Sequence, residues 1–509
     1  MEGTIPDENI NPSGKHDAEV LHTENLHDED LKTERTELTR AQIRRFGILQ
    51  DVRVLPMLGV IYAVSILDRI NIGSAKVLGM EEDLNLGDAT RYSIILLLFF
   101  PSYALTDVPS NWILTKVSPR LWLAFLMFGW GAILCGMGFT HNWQVVAFLR
   151  FMLGAFEGGV LPGVTFVIAC WYTKPELHKR IAAAYGVGLI SSGFAGILSF
   201  GLGQLDGVHG MSGWRWIFSI EGGATMLLGA VAPLFLPSFP EKASWLKPAH
   251  REHLFEKLHR DHGHAEQEKV TLRTFRNVST DWLFWLQGSV YCFNVGTANA
   301  TAFFAPTIIA GLGYDGLQAS LRSGFPFFAA LGLLMITSTI SDRFQRRATT
   351  CLFTITLMII GLIIMRENAG FSREYSAAIY LCHGAVQELT LISTAGVRYT
   401  GIFFLTMGVH STVPALLAFN QSNTLGAANR AISSGMLIAC GAIGGIIGSL
   451  IFRGQDAPGY APGIYTTIGF CVYNIFALLV CIFAYRKRNQ RIAQGEVLEG
   501  APEGYRFSL

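Results

Sequence analysis

The sequence predicts an all-α membrane protein of twelve transmembrane helices arranged as two six-helix halves. Three observations carry that expectation. Half of the 509 residues are hydrophobic and only 15% are charged, against about 25% charged in soluble chains. Apolar runs of the length a bilayer span requires, about 20 residues, recur at regular intervals between residues 54 and 485. One polar stretch, residues 237–280, divides these runs six and six.

Residues 1–50 come first. They are rich in Glu, Asp and His, poor in apolar side chains and without helical period, so they read as a disordered cytosolic tail. They lack the basic-then-apolar order of a secretory signal. His16, His22 and His27 in this tail read as solvated, with metal binding the lesser alternative. The first half, 51–236, carries spans near 54–75, 92–114, 121–140, 144–168, 181–203 and 215–236. The linker 237–280 contains HREHLFEKLHRDHGHAEQEK and reads as cytosolic. The second half, 281–487, carries spans near 282–305, 317–340, 347–365, 397–419, 430–452 and 463–485, and residues 488–509 form a C-terminal cytosolic tail.

Basic residues collect in alternate loops: Lys116 and Arg120; Lys174, Lys179 and Arg180; Arg343, Arg346 and Arg347; Arg430; Arg486, Lys487 and Arg488. The positive-inside rule therefore places both termini and the linker in the cytosol. The halves also echo each other. Span 5, RIAAAYGVGLISSGFAGILSFGLG, and span 11, RAISSGMLIACGAIGGIIGSLIF, each begin at an Arg and are packed with Gly, Ala and Ser, which lets helix backbones approach closely. Such internal repetition implies a transporter with its site between the halves. One stretch, 371–396, breaks the pattern. Its Arg373, Glu374 and Glu388 interrupt any apolar run. It reads either as a lid or interfacial helix, or as retained intronic sequence, since structureless loops of this length are uncommon.

A net charge of +1 argues against nucleic acid, which needs a concentrated basic surface. The eight cysteines are scattered through apolar runs with no ligand spacing, so neither a disulfide framework nor a metal site is expected. No span carries a nucleophile–base pair, which points away from an enzyme, and no cofactor is implied. The expected partners are a small solute, protons and lipid, with the chain acting as a monomer.

The chemistry concentrates in two charged stretches inside apolar runs. LRFMLGAFEGGVLPG in span 4 holds Arg150 and Glu157; SILDRINIGSA in span 1 holds Asp68 and Arg69. Seven residues are two helical turns, so Arg150 and Glu157 share a face about 10.5 Å apart. A charge at mid-membrane costs about 2.5–3.5 kcal/mol, and such residues usually mark a substrate or ion pathway. Asp68 and Arg69 lie about 21 Å from the cytosolic entry of span 1, and Arg150 about 9 Å from the outer entry of span 4. In a core about 30 Å thick these levels coincide. Asp68, Arg69 and Arg150 are thus expected in one cluster, with Glu157 below it. A purely structural ion pair is the competing reading. Asp107 and Glu221 are placed nearer the membrane boundaries, in helix-end or gating contacts. Gly158, Gly159, Pro162 and Gly163 are expected to bend span 4 or let it pack closely.

Several stretches together resemble the major facilitator superfamily and, within it, the anion:cation symporter family and its fungal allantoate-permease-like branch. They are LDRINIGSAK (67–76), VPSNWILTK (108–116), RFMLGAFEGGVLPG (150–163), Trp171–Tyr172, SGWRWIFSIEG (212–222), FFAPTIIAGLGYDGLQA (303–319) and RGQDAPGYAPG (453–463). SDRFQRR resembles the superfamily's cytosolic Asp-Arg…Arg-Arg motif and assigns gating or structural roles to Asp342, Arg343, Arg346 and Arg347. The resemblance covers residues 50–490. It implies proton-driven import of small organic anions, usually carboxylates, at the plasma membrane, with spans 1 and 4 lining the central cavity. Antiporter branches carry a Gly-Pro signature in span 5; its absence here weighs towards symport.

On this reading Arg69 and Arg150 bind the anion, because a guanidinium matches a carboxylate with a planar fork. Asp68 and Glu157 carry protons, since an adjacent Arg and desolvation pull a carboxyl's affinity in opposite directions. Tyr291, Asn294 and His410 are the second half's candidates for the rest of the substrate, and His titrates near neutrality. Export of an anionic metabolite, or a sensor that binds without transporting, are the alternative functions.

Overall fold

The structure is a computed structural model. It describes residues 39–508 except 88, 244, 263–271, 345, 367–393, 426, 454, 455, 457, 458 and 495–505. The described secondary structure is entirely helical. Span 1 is Arg40–Ile70 with a broken continuation through Ile72–Ala75 and Lys76–Met80 to Asp83. Span 2 is Ala89–Leu97 and Phe99–Lys116, span 3 Pro119–Met137, span 4 Trp143–Glu157 and Val160–Trp171, span 5 Lys174–Gly203, and span 6 Gly213–Phe235. Linker helices follow at Pro248–His262 and Leu272–Thr280. Spans 7 to 12 are Trp282–Ala310, Gly316–Phe344, Arg347–Arg366, Thr394–Asn423, Ala427–Ile451 and Ala461–Ala493.

Among the described residues, ten helices are long and apolar enough to cross a bilayer. The two expected spans outside that set, 2 and 7, are helical. Span 2 is broken at Leu98 into pieces of 9 and 18 residues, and span 7 carries Gln287, Asn294 and Asn299. Polar residues in a span belong where the bundle interior, rather than lipid, receives them.

Span 1 starts at Arg40, ten residues before the boundary that composition suggested. Thr39 caps it with a reciprocal box: its hydroxyl accepts from the Gln42 amide, and the Gln42 side chain accepts from the Thr39 amide. That box is a helix-start signal even in a charged stretch. Residues 1–38 lie outside the described residues, as do residues 371–393 of the irregular stretch; residues 394–396 already belong to span 10. Likewise span 12 continues to Ala493, into the expected tail.

Small residues set the helix spacing. Gly131 of span 3 faces the Gly222 carbonyl of span 6, and Gly296 of span 7 faces the Gly444 carbonyl of span 11. A Cβ at Gly131 or Gly296 would stand 3.0 and 2.8 Å from those oxygens. The broken end of span 1 turns at Gly79, whose φ of 101° is available to glycine at little cost.

We call the end of the bundle that carries Arg40 the tail end and the opposite one the far end. At the far end the two halves meet tightly. The Tyr92 hydroxyl donates to the Phe303 carbonyl at 3.3 Å, and the Tyr92 ring meets Phe304 edge-on at 5.6 Å. Gly73 backs onto the same Phe303 carbonyl, and Gly316 onto that of Val77. At the tail end the linker clasps the first half: Trp245 stacks on Trp171 at 5.4 Å, with Arg53 over the Trp245 ring, and His250 stacks on Phe46 at 4.9 Å.

Candidate functional site

Spans 1 and 4 meet at the centre of the first half. Ser65 and Arg69 are one turn apart on span 1 and so share a face. Both reach one oxygen of Glu157. Arg69 donates to Glu157 Oε2 from Nη2 at 3.0 Å and Nε at 3.3 Å, and Ser65 Oγ donates to it at 3.1 Å. The Arg69 guanidinium lies over the Phe99 and Tyr103 rings of span 2, at 5.0 and 4.9 Å, a placement that favours a cation electrostatically. Glu157 is fully buried, and its Oε1 has no hydrogen-bond partner among the described residues.

Asp68 points elsewhere. Successive residues on a helix are about 100° apart, so the neighbour of Arg69 faces spans 3 and 6. There its Oδ2 accepts from the Trp130 indole at 3.0 Å and the Thr225 hydroxyl at 3.1 Å, while Oδ1 is unbonded. One turn along, Asn71 donates to Glu221 and accepts from Ser199 Oγ at 3.4 Å. Glu221 Oε1 is unbonded as well.

Arg150 is 1% exposed. Its Nη1 donates to the Arg69 carbonyl at 3.4 Å, and its Nε and Nη2 have no partner among the described residues. An unpaired buried charge costs several kcal/mol, so this guanidinium is held in the fold with two donors unused. Helix packing positions it: Gly154 and Gly158 press span 4 onto the carbonyls of Phe99 and Tyr103 in span 2. The helix is interrupted at Gly158–Gly159, and Pro162 and Gly163 lie in the segment beyond, where Gly163 packs on Leu123.

Two expectations change. Of the expected cluster of Asp68, Arg69 and Arg150, Asp68 turns away to spans 3 and 6 and Glu157 joins Arg69 instead, because depth along a helix fixes the level of a side chain but not its direction. Glu221 is a buried neighbour of Asn71 rather than a boundary residue. It lies six residues inside span 6, as Arg150 lies six inside span 4, so the same arithmetic of about 9 Å applies to both. Asp107 is half-buried, on the face of Tyr103 one turn towards the tail end, and makes no hydrogen bond among the described residues.

In the second half, Asn294 is fully buried and donates to the Val409 carbonyl at 3.2 Å, with Oδ1 unbonded. His410 lies against Phe327 at 5.2 Å with both ring nitrogens unbonded. Tyr291 is buried and packs on Gly441. Its hydroxyl lies in the electrostatic reach of Tyr62 and Tyr103, and Tyr185 in that of Tyr62 and Tyr291. Tyr103 lies against the Arg69 guanidinium, Tyr62 packs on Gly188 of span 5, and Tyr185 and Tyr291 complete this group of four tyrosines. Three of them, Tyr62, Tyr103 and Tyr185, were not singled out by sequence; the signal was available in Tyr62 and Tyr103, each a turn or two from a residue already chosen. At the tail end, Arg343 and Arg346 are exposed, while Arg347 Nη1 donates to the Ala418 carbonyl at 2.5 Å and bonds Ser422, tying span 9 to span 10. The Asp342 side chain lies outside the described residues.

Two helical halves joined at one end, with charged side chains sealed at the centre, define an integral membrane transporter. The comparisons with known proteins make the class specific. A family model described as Major Facilitator Superfamily matches residues 58–449. The MFS transporter prlL of a fungal species is 30% identical over 466 residues, covering 90% of this chain and 89% of that one. The high-affinity nicotinic acid transporter of Saccharomyces cerevisiae is 24% identical over 442 residues, covering 87% and 78%. A crystal structure of a bacterial homologue of the human lysosomal transporter Spinster, inward-facing and unoccupied, overlays with a TM-score of 0.63 at 15% identity, covering 86% of this chain and 97% of that one. The chain belongs to the Major Facilitator Superfamily.

Proposed function

We propose that this transporter imports a small organic carboxylate together with protons, as a member of the anion:cation symporter branch that includes the allantoate-permease-like proteins. The observation that carries the reading is the Arg69–Glu157 pair beside Arg150, whose two unused donors lie buried. With Glu221 protonated beside Asn71, the two guanidinium and two carboxylate groups of Arg69, Arg150, Asp68 and Glu157 balance to zero net charge. An incoming monocarboxylate adds one negative charge to a buried site, and one proton on a carboxylate restores neutrality. That balance is the physical basis of the coupling.

The sequence of events follows from the contacts. The substrate carboxylate takes Arg69 from Glu157 and uses the free donors of Arg150. Glu157, displaced and still desolvated, accepts a proton. Asp68, hydrogen-bonded on one oxygen only, is the second proton carrier. Tyr62, Tyr103 and Tyr185, with Tyr291, Asn294 and His410, form the wall for the remainder of the substrate. This aromatic lining suits a flat ring, in keeping with the nicotinic acid handled by the yeast relative. The tail end faces the cytosol, the membrane is the plasma membrane, and the working unit is the monomer. The far-end contacts then correspond to an external gate that is closed.

The test uses purified protein in liposomes with a trapped pH dye and nicotinate, benzoate and a dicarboxylate as probes. Carboxylate added outside acidifies the lumen, and an imposed inward proton gradient drives uptake above equilibrium. Flux that is unchanged when the gradient is collapsed overturns proton coupling; no flux of any carboxylate overturns the substrate class.

A further inference from the structure

We propose that the C-terminal residues Arg506–Ser508 complete a binding site for a phosphate-bearing anion at the tail end of the second half. A cleft of about 630 Å³ opens there between the start of span 9, the end of span 12 and the last residues of the chain. Three arginines line it, Arg346, Arg486 and Arg506, together with Asn489, Gln490 and Ser508, and no acidic side chain does among the described residues. None of the three arginines makes an ion pair or a side-chain hydrogen bond among the described residues. Neighbouring cations behave differently: Arg488 pairs with Asp281 at 3.5 Å, and Arg347 is spent on Ala418 and Ser422.

The third arginine is not there by chance of a loose end. Two asparagines each grip one backbone residue of the terminal segment at both its N–H and its carbonyl. Asn489 accepts from the Phe507 amide at 2.8 Å and donates to the Phe507 carbonyl at 3.0 Å. Asn423 accepts from the Ser508 amide at 2.7 Å and donates to the Ser508 carbonyl at 3.3 Å. The Phe507 ring is buried, stacking on Tyr485 at 5.1 Å. The segment is thereby fastened across spans 10 and 12, and the fastening brings Arg506 to the cleft that Arg346 and Arg486 also line. Like charges gathered in one cleft are unfavourable, and an anion offsets that cost.

Guanidinium groups bind phosphate oxygens through two parallel hydrogen bonds, and the Gln490 amide adds a neutral donor. A phosphomonoester or phosphodiester headgroup fits this donor set better than a lone carboxylate, because three guanidinium groups line the cleft and a phosphate group offers them more oxygens. The two sources of that chemistry are a membrane phospholipid and a soluble phosphate. An anion seated here bridges span 9, span 12 and the terminal segment.

The experiment uses the full chain, purified in neutral detergent. One arm offers phosphatidic acid against phosphatidylcholine and measures retained lipid by native mass spectrometry. The other offers inorganic phosphate and inositol hexakisphosphate and measures thermal stability. The expected result is selective retention of phosphatidic acid or a rise in melting temperature with a soluble phosphate, reduced at least tenfold in affinity by Arg346→Gln/Arg486→Gln/Arg506→Gln and by removal of residues 506–509. Lys487→Gln, an exposed cation beside the cleft but outside its lining, leaves binding unchanged. Retention of lipid alone assigns the site to the bilayer, and a response to soluble phosphate alone assigns it to a cytosolic ligand. The proposal is overturned if neither probe binds, or if the triple variant, folded as judged by its elution profile, binds as the parent does.

Discussion

The two halves share an architecture and differ in what they bury. The first half buries Asp68, Arg150, Glu157 and Glu221, with Arg69 17% exposed beside Glu157, on spans 1, 4 and 6. Among its described residues the second half buries amides and hydroxyls instead, such as Asn294, Thr297, Thr406 and Thr412. Formal charge supplies the strong and directional contacts, while neutral groups supply shape and modest hydrogen bonds. On the proposed function, coupling falls to the first half and most of the substrate's contour to the second. The linker sharpens the asymmetry, since Trp245 and His250 clasp only the first half.

The largest effect is expected at the guanidinium groups. Arg69→Lys and Arg150→Lys keep the charge and lose the fork. Each substitution removes charged hydrogen bonds worth about 1.5–3 kcal/mol, so carboxylate affinity falls ten- to hundredfold in equilibrium binding. Wild-type affinity in both variants would move the anion site out of the first half.

Glu157→Gln comes next and separates two activities. Gln keeps the shape of the protonated acid and cannot release a proton. Counterflow of substrate across the liposome membrane survives, and uptake driven by the proton gradient is lost. If both survive, Asp68 inherits the coupling role, for which Asp68→Asn is the comparison; if both disappear, Glu157 holds the site together.

Smaller changes are expected across the divide. Asn294→Ala and His410→Gln each remove at most a neutral contact, worth about 0.5–1.5 kcal/mol, and weaken substrate binding up to about tenfold while proton coupling persists. Loss of coupling in either variant would erase the contrast between the halves.

The smallest effect concerns the clasp. His250 lies outside the spans. Burial against Phe46, followed by the charges of Lys247 and His253, holds its imidazole below the usual value of 6.5. The docked linker therefore binds fewer protons than the undocked one. Its docking is fully present above pH 6.5 and weakens as pH falls below that value. The protection factors of residues 248–262, after correction for the pH dependence of intrinsic exchange, should fall between pH 7.5 and pH 5.5, and His250→Phe should abolish that fall.

Much of this was legible in the chain itself. Apolar run length announced the spans because a bilayer demands about 20 such residues. Charges inside those runs announced the centre, because burial there is costly and must have a use. The clearest shortfall lay in direction rather than depth. Asp68 and Arg69 are adjacent in sequence and part company in space, one to Trp130 and Thr225, the other to Glu157. Rise per residue can be counted along a chain, so levels were available. Which neighbour a side chain meets depends on how helices are rotated and packed against each other, and that is set by contacts such as Gly154 and Gly158 on span 2. The start of span 1 was hidden differently: composition averaged over charged residues masked a capping box at Thr39. The fastening of Phe507 and Ser508 had no sequence signal at all, since it joins residues 18 and 85 positions apart. Sequence by itself determined the membrane, the count of helices and the residue types that bear charge, because those depend on transfer energies local to each segment. Tertiary structure decided which charges pair and which remain free, because pairing depends on distances that only the packed bundle creates.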